Sequence, residues 1–387
     1  MTGSPSRPAR RRAQCGLLAP QRWLLVPPLG RLLERAGYRD RSWSIGDRLS
    51  HGARSQVWSL RVEGEPPLVL KRHRRRGDGT GRAGREAAAL RRAQAAAPSV
   101  APPLIAADAS ARLLVTAAVD GVSLEWVLDA QAGAADAVAA VAMSLARLHS
   151  GTWQPEPPPS SGVLAGGAAP PADPFFALCK RAGVRPAADV EAAVRAALAE
   201  PGCAPVSALT HGDVCTDNVL VSAGSAVLLD WETAAYRDPL VDLAALLMAF
   251  ATCRDARRLA PAVVDRALRS YRDVVADLPW GGATFPAALA RACLRWVVDG
   301  DALVPQDNRG GPDRLAELAR RDWAWGATTA RQRFLTRLDL FISIADPASE
   351  FAGTRAIASE LQSRLSVAWG GGALPRSAGN GNGLRPD

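Results

Sequence analysis

The stretch from Ala208 to Asp242, ALTHGDVCTDNVLVSAGSAVLLDWETAAYRDPLVD, restricts this chain more than any other. His211, Gly212 and Asp213 follow a short apolar run, Asn218 comes five residues after Asp213, and a second apolar run from Ala226 to Leu229 ends in Asp230. Two loops and a hairpin bring such groups together, and the glycine between His211 and Asp213 permits a tight backbone there. Asp, Asn and Gly are also the usual turn formers, so any one of them could be a turn or cap. The ordered set asks for a chemical explanation.

Metal-assisted phosphoryl transfer supplies one. A hydroxyl that attacks a terminal phosphate needs a carboxylate to orient it and accept its proton, a role open to Asp213 on a rigid turn. Magnesium takes oxygen ligands in octahedral geometry and keeps some of its waters, so one amide oxygen and one carboxylate, Asn218 and Asp230, suffice as a minimal protein contribution.

With HGDxxxxN followed by an apolar strand, DWE and DPxxDLA, the sequence resembles the aminoglycoside phosphotransferase and choline kinase family, which shares the protein-kinase-like fold. The resemblance implies that Asp213 is the catalytic base and that Asn218 and Asp230 hold magnesium. His211, Asp238 and Asp242 match structural positions of the family. The resemblance spans Ser44 to Trp369 and implies a bilobal α+β fold. A small β-rich nucleotide-binding N-lobe is expected over 42–120 and a larger, mainly helical, catalytic and acceptor-binding C-lobe over 121–369. Residues 1–41 form a partly disordered extension, in which the helical pattern from Leu29 to Ala36 is peripheral. Residues 370–387, rich in Gly, Asn and Pro, form a disordered tail.

Between Trp43 and Lys71 the periodicity is that of short strands, one holding Val57, Leu60 and Val62 and another Leu68, Val69 and Leu70. His51 to Ser55 falls where a kinase-like N-lobe covers the phosphates; Gly52 and Ser55 are its candidate contacts, although a single glycine departs from the glycine-rich loop of protein kinases. Only Lys71 and Lys180 are lysines among 47 basic residues. A lysine ending an apolar strand therefore marks a demand for a compact ammonium, one that can bridge nucleotide phosphates and pair with a helix glutamate. Glu86 is the sole acid on the helix expected from Arg85 to Ala97. Ala117 to Gly121 resembles a hinge, with Ala117 and Val119 as candidate contacts for an adenine.

Gly79, Gly81 and Gly84 spell GxGxxG, but a basic loop precedes them and no acid ends a second strand about 20 residues on, as the dinucleotide fingerprint requires. The segment reads as a flexible loop, and no P-loop motif occurs. The net charge of +9 is concentrated in Arg7 to Arg12 and Lys71 to Arg92, without interleaved aromatics, which argues against nucleic-acid binding as a main function. No apolar run reaches the roughly 18 residues of a membrane span. The short apolar segment after Arg10 to Arg12 ends in Pro27 and Pro28 and reads as an extension rather than an export signal. The six cysteines form no CxxC pair and fit reduced thiols in the cytoplasm.

Further on, Met143 to His149 matches the family's LxxLH helix, with His149 a core or capping histidine. The proline-rich segment from Pro155 to Pro174 reads as a surface loop. A helix from Val184 to Glu200 and helices throughout the region after Asp242 follow. There Asp299, Asp301, Asp307, Asp313, Glu317 and Asp322, with Trp296, Trp323 and Trp325, could receive a cationic or sugar acceptor, but solvated helix faces and core tryptophans are the better explanation.

The expected function is transfer of the γ-phosphate of ATP, with GTP as the other candidate donor, to a hydroxyl of a small molecule. Aminoglycosides, macrolides, amino alcohols and sugars remain open as acceptors. The rival is a catalytically silent, kinase-like nucleotide-binding or scaffold protein; the complete set of Lys71, Glu86, Asp213, Asn218 and Asp230 argues against it.

Overall fold

In the computed structural model, residues 25–50, 55–74, 79–130, 133–155, 172–199, 207–222, 224–248, 259–298, 330–346, 349 and 351–368 are described. They divide into two units, one comprising residues 1–91 and 102–119 and the other residues 92–101 and 120–387. Gly52, the acids from Asp299 to Asp322, Trp323, Trp325, the proline-rich segment from 156 to 171 and the tail lie outside the described residues.

Alternating apolar side chains build the first unit. Strands β1 (Trp43–Ser50), β2 (Ser55–Val62), β3 (Leu68–His73), β4 (Leu104–Asp108) and β5 (Leu113–Ala117) form one antiparallel sheet in the order β1-β2-β3-β5-β4. The Gly64 turn, with φ of 77°, joins β2 to β3. On one face Trp58, Leu60, Val62, Leu68, Leu70, Leu113 and Val115 are buried in a single cluster.

Helix α1 (Val26–Arg35) closes that cluster. Two prolines in its first turn pre-set the backbone, and Leu29, Leu32 and Leu33, spaced i, i+3, i+4, place an apolar stripe against the sheet. These leucines are at most 2% exposed. The helix expected to be peripheral is therefore part of the core, because a sheet with one apolar face needs a cover. Helix α2 (Gly79–Ala96) brings a second correction: the GxGxxG segment is helical from Gly79, not a loop. Ala83, Ala87 and Leu90 are buried along one face of α2, and their packing overrides the poor helix propensity of the glycines.

In the second unit, α4 (Ala134–Thr152) is the central rod, apolar and buried at almost every turn. It packs along α8 (Pro261–Val275) and beneath a three-stranded sheet of β6 (Val122–Ser123), β8 (Val219–Ser222) and β9 (Ser225–Leu228). The Ser144 hydroxyl donates to the Ala226 carbonyl at 2.9 Å, and the Leu209 N–H donates to the Thr152 hydroxyl at 3.0 Å, fixing α4 to both strand systems. Strand β7 (Ala208–Thr210) pairs antiparallel with β10 (Ala235–Arg237). Around this lie α3 (Leu124–Ala130), α5 (Asp173–Arg181), α6 (Ala188–Ala199), α7 (Leu240–Leu247), α9 (Phe285–Val298), α10 (Ala330–Ile344) and α11 (Ala352–Ala368). Helix α5 has no counterpart in the sequence reading. No helix among the described residues is long and apolar enough to cross a membrane.

Candidate active site

Strand β7 ends at Thr210, and His211-Gly212-Asp213 turns out of it. Pairing of Thr210 with Ala235 sets this turn beside the segment that follows Asp230. The Thr233 hydroxyl donates to the His211 carbonyl at 3.0 Å, and the Thr210 hydroxyl donates to the Ala235 carbonyl at 2.8 Å. His211 is fully buried: its Nε2–H donates to the Leu229 carbonyl at 2.8 Å, and its ring meets Trp231 edge-on with centroids 4.9 Å apart. Trp231 is itself fully buried and donates from Nε1 to the Leu228 carbonyl at 2.7 Å. The histidine of HGD and the tryptophan of DWE thus lock the two loops to each other.

Asp213 and Asn218 meet directly. The Asn218 Nδ2 donates to the Asp213 carbonyl and to Asp213 Oδ2, each at 3.1 Å, which commits the amide nitrogen and leaves the amide oxygen for another partner. Hairpin β8–β9 brings in Asp230. Val219 pairs with Leu228, the Leu229 N–H donates to the Asn218 carbonyl at 2.8 Å, and Asp230 follows immediately. Asp230 has a φ of 64° and a ψ of 66°, a left-handed conformation that costs a non-glycine residue free energy and persists only where the surroundings impose it. Asp213, Asn218 and Asp230 are all half-buried. The structure gathers all three.

Behind the loop sits Asp242, fully buried on α7. Its Oδ2 accepts the His211 N–H at 2.6 Å and its Oδ1 the Gly212 N–H at 2.9 Å. His149, fully buried on α4, places Nε2 3.3 Å from Asp242 Oδ2 and Nδ1 2.8 Å from the Tyr271 hydroxyl, which also accepts from Trp280 at 3.3 Å. Burial works against the Asp242 carboxylate, but the His149 contact and charge, His211 and the Gly212 N–H together hold its pKa below the ordinary value. His149 is thus a core histidine that positions the loop's anchor. Asp238 lies just before α7 and accepts the Leu240 N–H at 3.0 Å.

Gly212 is required by shape. With φ at 80°, a Cβ there would stand 2.8 Å from the Thr233 carbonyl oxygen, a backbone atom that cannot give way. Gly212→Ala is expected to cost about 1–3 kcal/mol and to displace Asp213. Thermal unfolding together with turnover checks this, and an unchanged variant contradicts it.

In the first unit, Lys71 on β3 and Glu86 on α2 form a close pair, with Nζ 2.8 Å from the carboxylate. Sequence reading missed a third member: His73, fully buried, places Nε2 2.8 Å from Glu86 Oε2. Its signal was the two-residue spacing from Lys71, which puts both side chains on one face of the strand. Burial would raise the Glu86 pKa, but the charge of Lys71 and the hydrogen bond from His73 outweigh it and hold the carboxyl at about 2. A depressed carboxylate stabilises above its unfolded pKa, here 4.5, and loses that stabilisation as pH falls towards 2. The contribution at neutral pH is on the order of 3 kcal/mol. The difference in melting temperature between the wild type and Glu86→Gln should therefore shrink as pH drops from neutral to 3; a constant difference contradicts it.

Ser55 opens β2, is buried and pairs with His73. Ala117 ends β5 with its N–H committed to the Pro103 carbonyl at 2.8 Å, so a base at this position would meet it through another atom; Val119 follows two residues on. Trp296 donates from Nε1 to the Val241 carbonyl at 3.0 Å and carries Arg337 over its ring at 5.5 Å, and so acts in packing. Among the described residues no group of three or more His, Cys, Asp or Glu is gathered to hold a metal.

Among solved structures, the chain is similar to a choline/ethanolamine kinase family protein from Mesorhizobium loti, at 20% identity, with 87% of this chain and 99% of that one covered and a TM-score of 0.46. It is also similar to a macrolide 2'-phosphotransferase from Brachybacterium faecium, at 20% identity, 72% and 99% coverage and a TM-score of 0.42. A third similarity is to APH(2'')-IIa in a ternary complex with streptomycin and ATP, at 14% identity, 82% and 99% coverage and a TM-score of 0.48. A comparison with curated proteins finds no match. Residues 46–280 match the phosphotransferase enzyme family, and the chain, with its kinase-like fold, belongs to that family.

Proposed function

We propose that this protein is a cytoplasmic kinase of small molecules that transfers the γ-phosphoryl group of ATP, or of GTP, to an acceptor hydroxyl. The observation that carries this reading is the contact of Asn218 with Asp213, with Asp230 placed next to Asn218 through the β8–β9 hairpin. Family membership supports the reaction class. The free thiols of the buried Cys179 and Cys293 agree with a reducing compartment.

Asp213 orients the acceptor hydroxyl and takes its proton. The oxygen then bonds to the γ-phosphorus as the bond to the bridging oxygen of the nucleotide breaks and the nucleoside diphosphate departs. Asn218 and Asp230 offer an amide oxygen and a carboxylate, hard donors that suit magnesium, and are the residues that would hold it. When bound, the ion neutralises charge on the phosphates. Lys71, held by Glu86 and His73, steadies the nucleotide phosphates.

Release of ADP by the purified protein with ATP and magnesium, across aminoglycosides, macrolides, amino alcohols and sugars, tests the reading. Stimulation by one class supports it and names the acceptor. Nucleotide binding without stimulation by any class favours the silent scaffold.

A further inference from the structure

Arg237 stands beside the turn that carries Asp213. It ends β10 opposite Ala208, a register that carries its guanidinium towards the Gly212 turn: Nη1 lies 3.4 Å from the position a Gly212 Cβ would occupy. Asp213 is the next residue. The side chain is half-buried, and its Nε is buried with no hydrogen-bond partner among the described residues. Asp238 faces Arg295 at 3.5 Å and accepts the Leu240 N–H, Asp242 accepts from the loop N–H groups and contacts His149, and Asp213 accepts from the Asn218 amide.

A guanidinium has five donors in a rigid fork, and leaving a buried one unpaired costs free energy that a bound acceptor would restore. The fork matches phosphate and carboxylate geometry, and charge-assisted bonds of this type are the strong ones. A strand end also fixes the arginine more firmly than a surface loop would.

We propose that Arg237 is an anion-binding residue of this site and takes a phosphate or carboxylate presented beside the Gly212–Asp213 turn. The proposal rests on the function given above. The oxyanion has two sources: the phosphoryl group in transit, or an acidic group carried by the acceptor.

The test uses the full-length protein, with inorganic phosphate as probe in calorimetric titration of the wild type, Arg237→Gln and Arg237→Lys. Arg237→Gln is expected to bind phosphate about 10- to 100-fold more weakly, with Arg237→Lys in between. Equal affinity in all three, or no binding by the wild type, overturns the proposal. Should Arg237→Gln fail to fold, Arg237→Lys, which keeps the charge and loses the fork, carries the comparison. Kinetics then separate the sources. A fall in kcat with every acceptor, water included, at unchanged acceptor KM assigns the group in transit. A rise in KM confined to carboxylate- or phosphate-bearing alcohols assigns the acceptor. Arg237-dependent phosphate binding by a protein that forms no phosphate ester would keep this site and remove the proposed reaction.

Discussion

Replacing Asp213 with alanine is expected to lower turnover by about 100- to 10,000-fold, the usual contribution of a positioned general base, while nucleotide affinity stays near the wild-type value. Asp213 sits on a turn fixed from three directions, by Asp242 behind, by the Thr233 hydroxyl beside it and by Asn218 on its own carboxylate. A carboxylate so held loses little freedom when it accepts a proton from a bound hydroxyl. Asp213→Asn is the sharper control, since it keeps the shape and removes the basicity. Activity in Asp213→Asn close to that of the wild type would place the base elsewhere; loss of nucleotide binding in either variant would make Asp213 a binding residue.

Asp242→Ala should do the greatest damage to stability. Its carboxylate is fully buried, its two oxygens take the N–H groups of His211 and Gly212, and Oδ2 also lies 3.3 Å from His149 Nε2. Removing it orphans two buried donors and one histidine, a loss of about 3–5 kcal/mol. Asparagine does not rescue it, because the amide offers a donor where one loop N–H needs an acceptor. Melting temperatures of Asp242→Ala and Asp242→Asn measure the effect, with turnover falling as Asp213 loses its support. A variant that melts with the wild type would contradict the anchoring role.

These effects follow contacts of different range, and range decides what could be read from the sequence. His211, Asp213, Asn218 and Asp230 lie within a single hairpin and its two loops, so their spacing implied their meeting. Lys71 and Glu86 were legible through composition, as a rare lysine facing the only acid of its helix. Tyr271 and Arg237 were not: one reaches His149 across 122 residues, and the other depends on the β7–β10 register. Helix α1 carried the right leucine spacing, but periodicity names a face without naming what covers it. The glycines at 79, 81 and 84 misled in the other direction, because local propensity yields to packing of Ala83, Ala87 and Leu90.

Following the γ-phosphate itself distinguishes transfer to a hydroxyl from mere nucleotide binding. Protein, magnesium and labelled ATP or GTP are incubated with pooled small alcohols, and the products are separated for organic phosphate esters, with Asp213→Ala in parallel. The account predicts label on an acceptor hydroxyl with the wild type and none with the variant. Nucleotide bound with magnesium but no ester from any pool, or the same ester from both proteins, would contradict it.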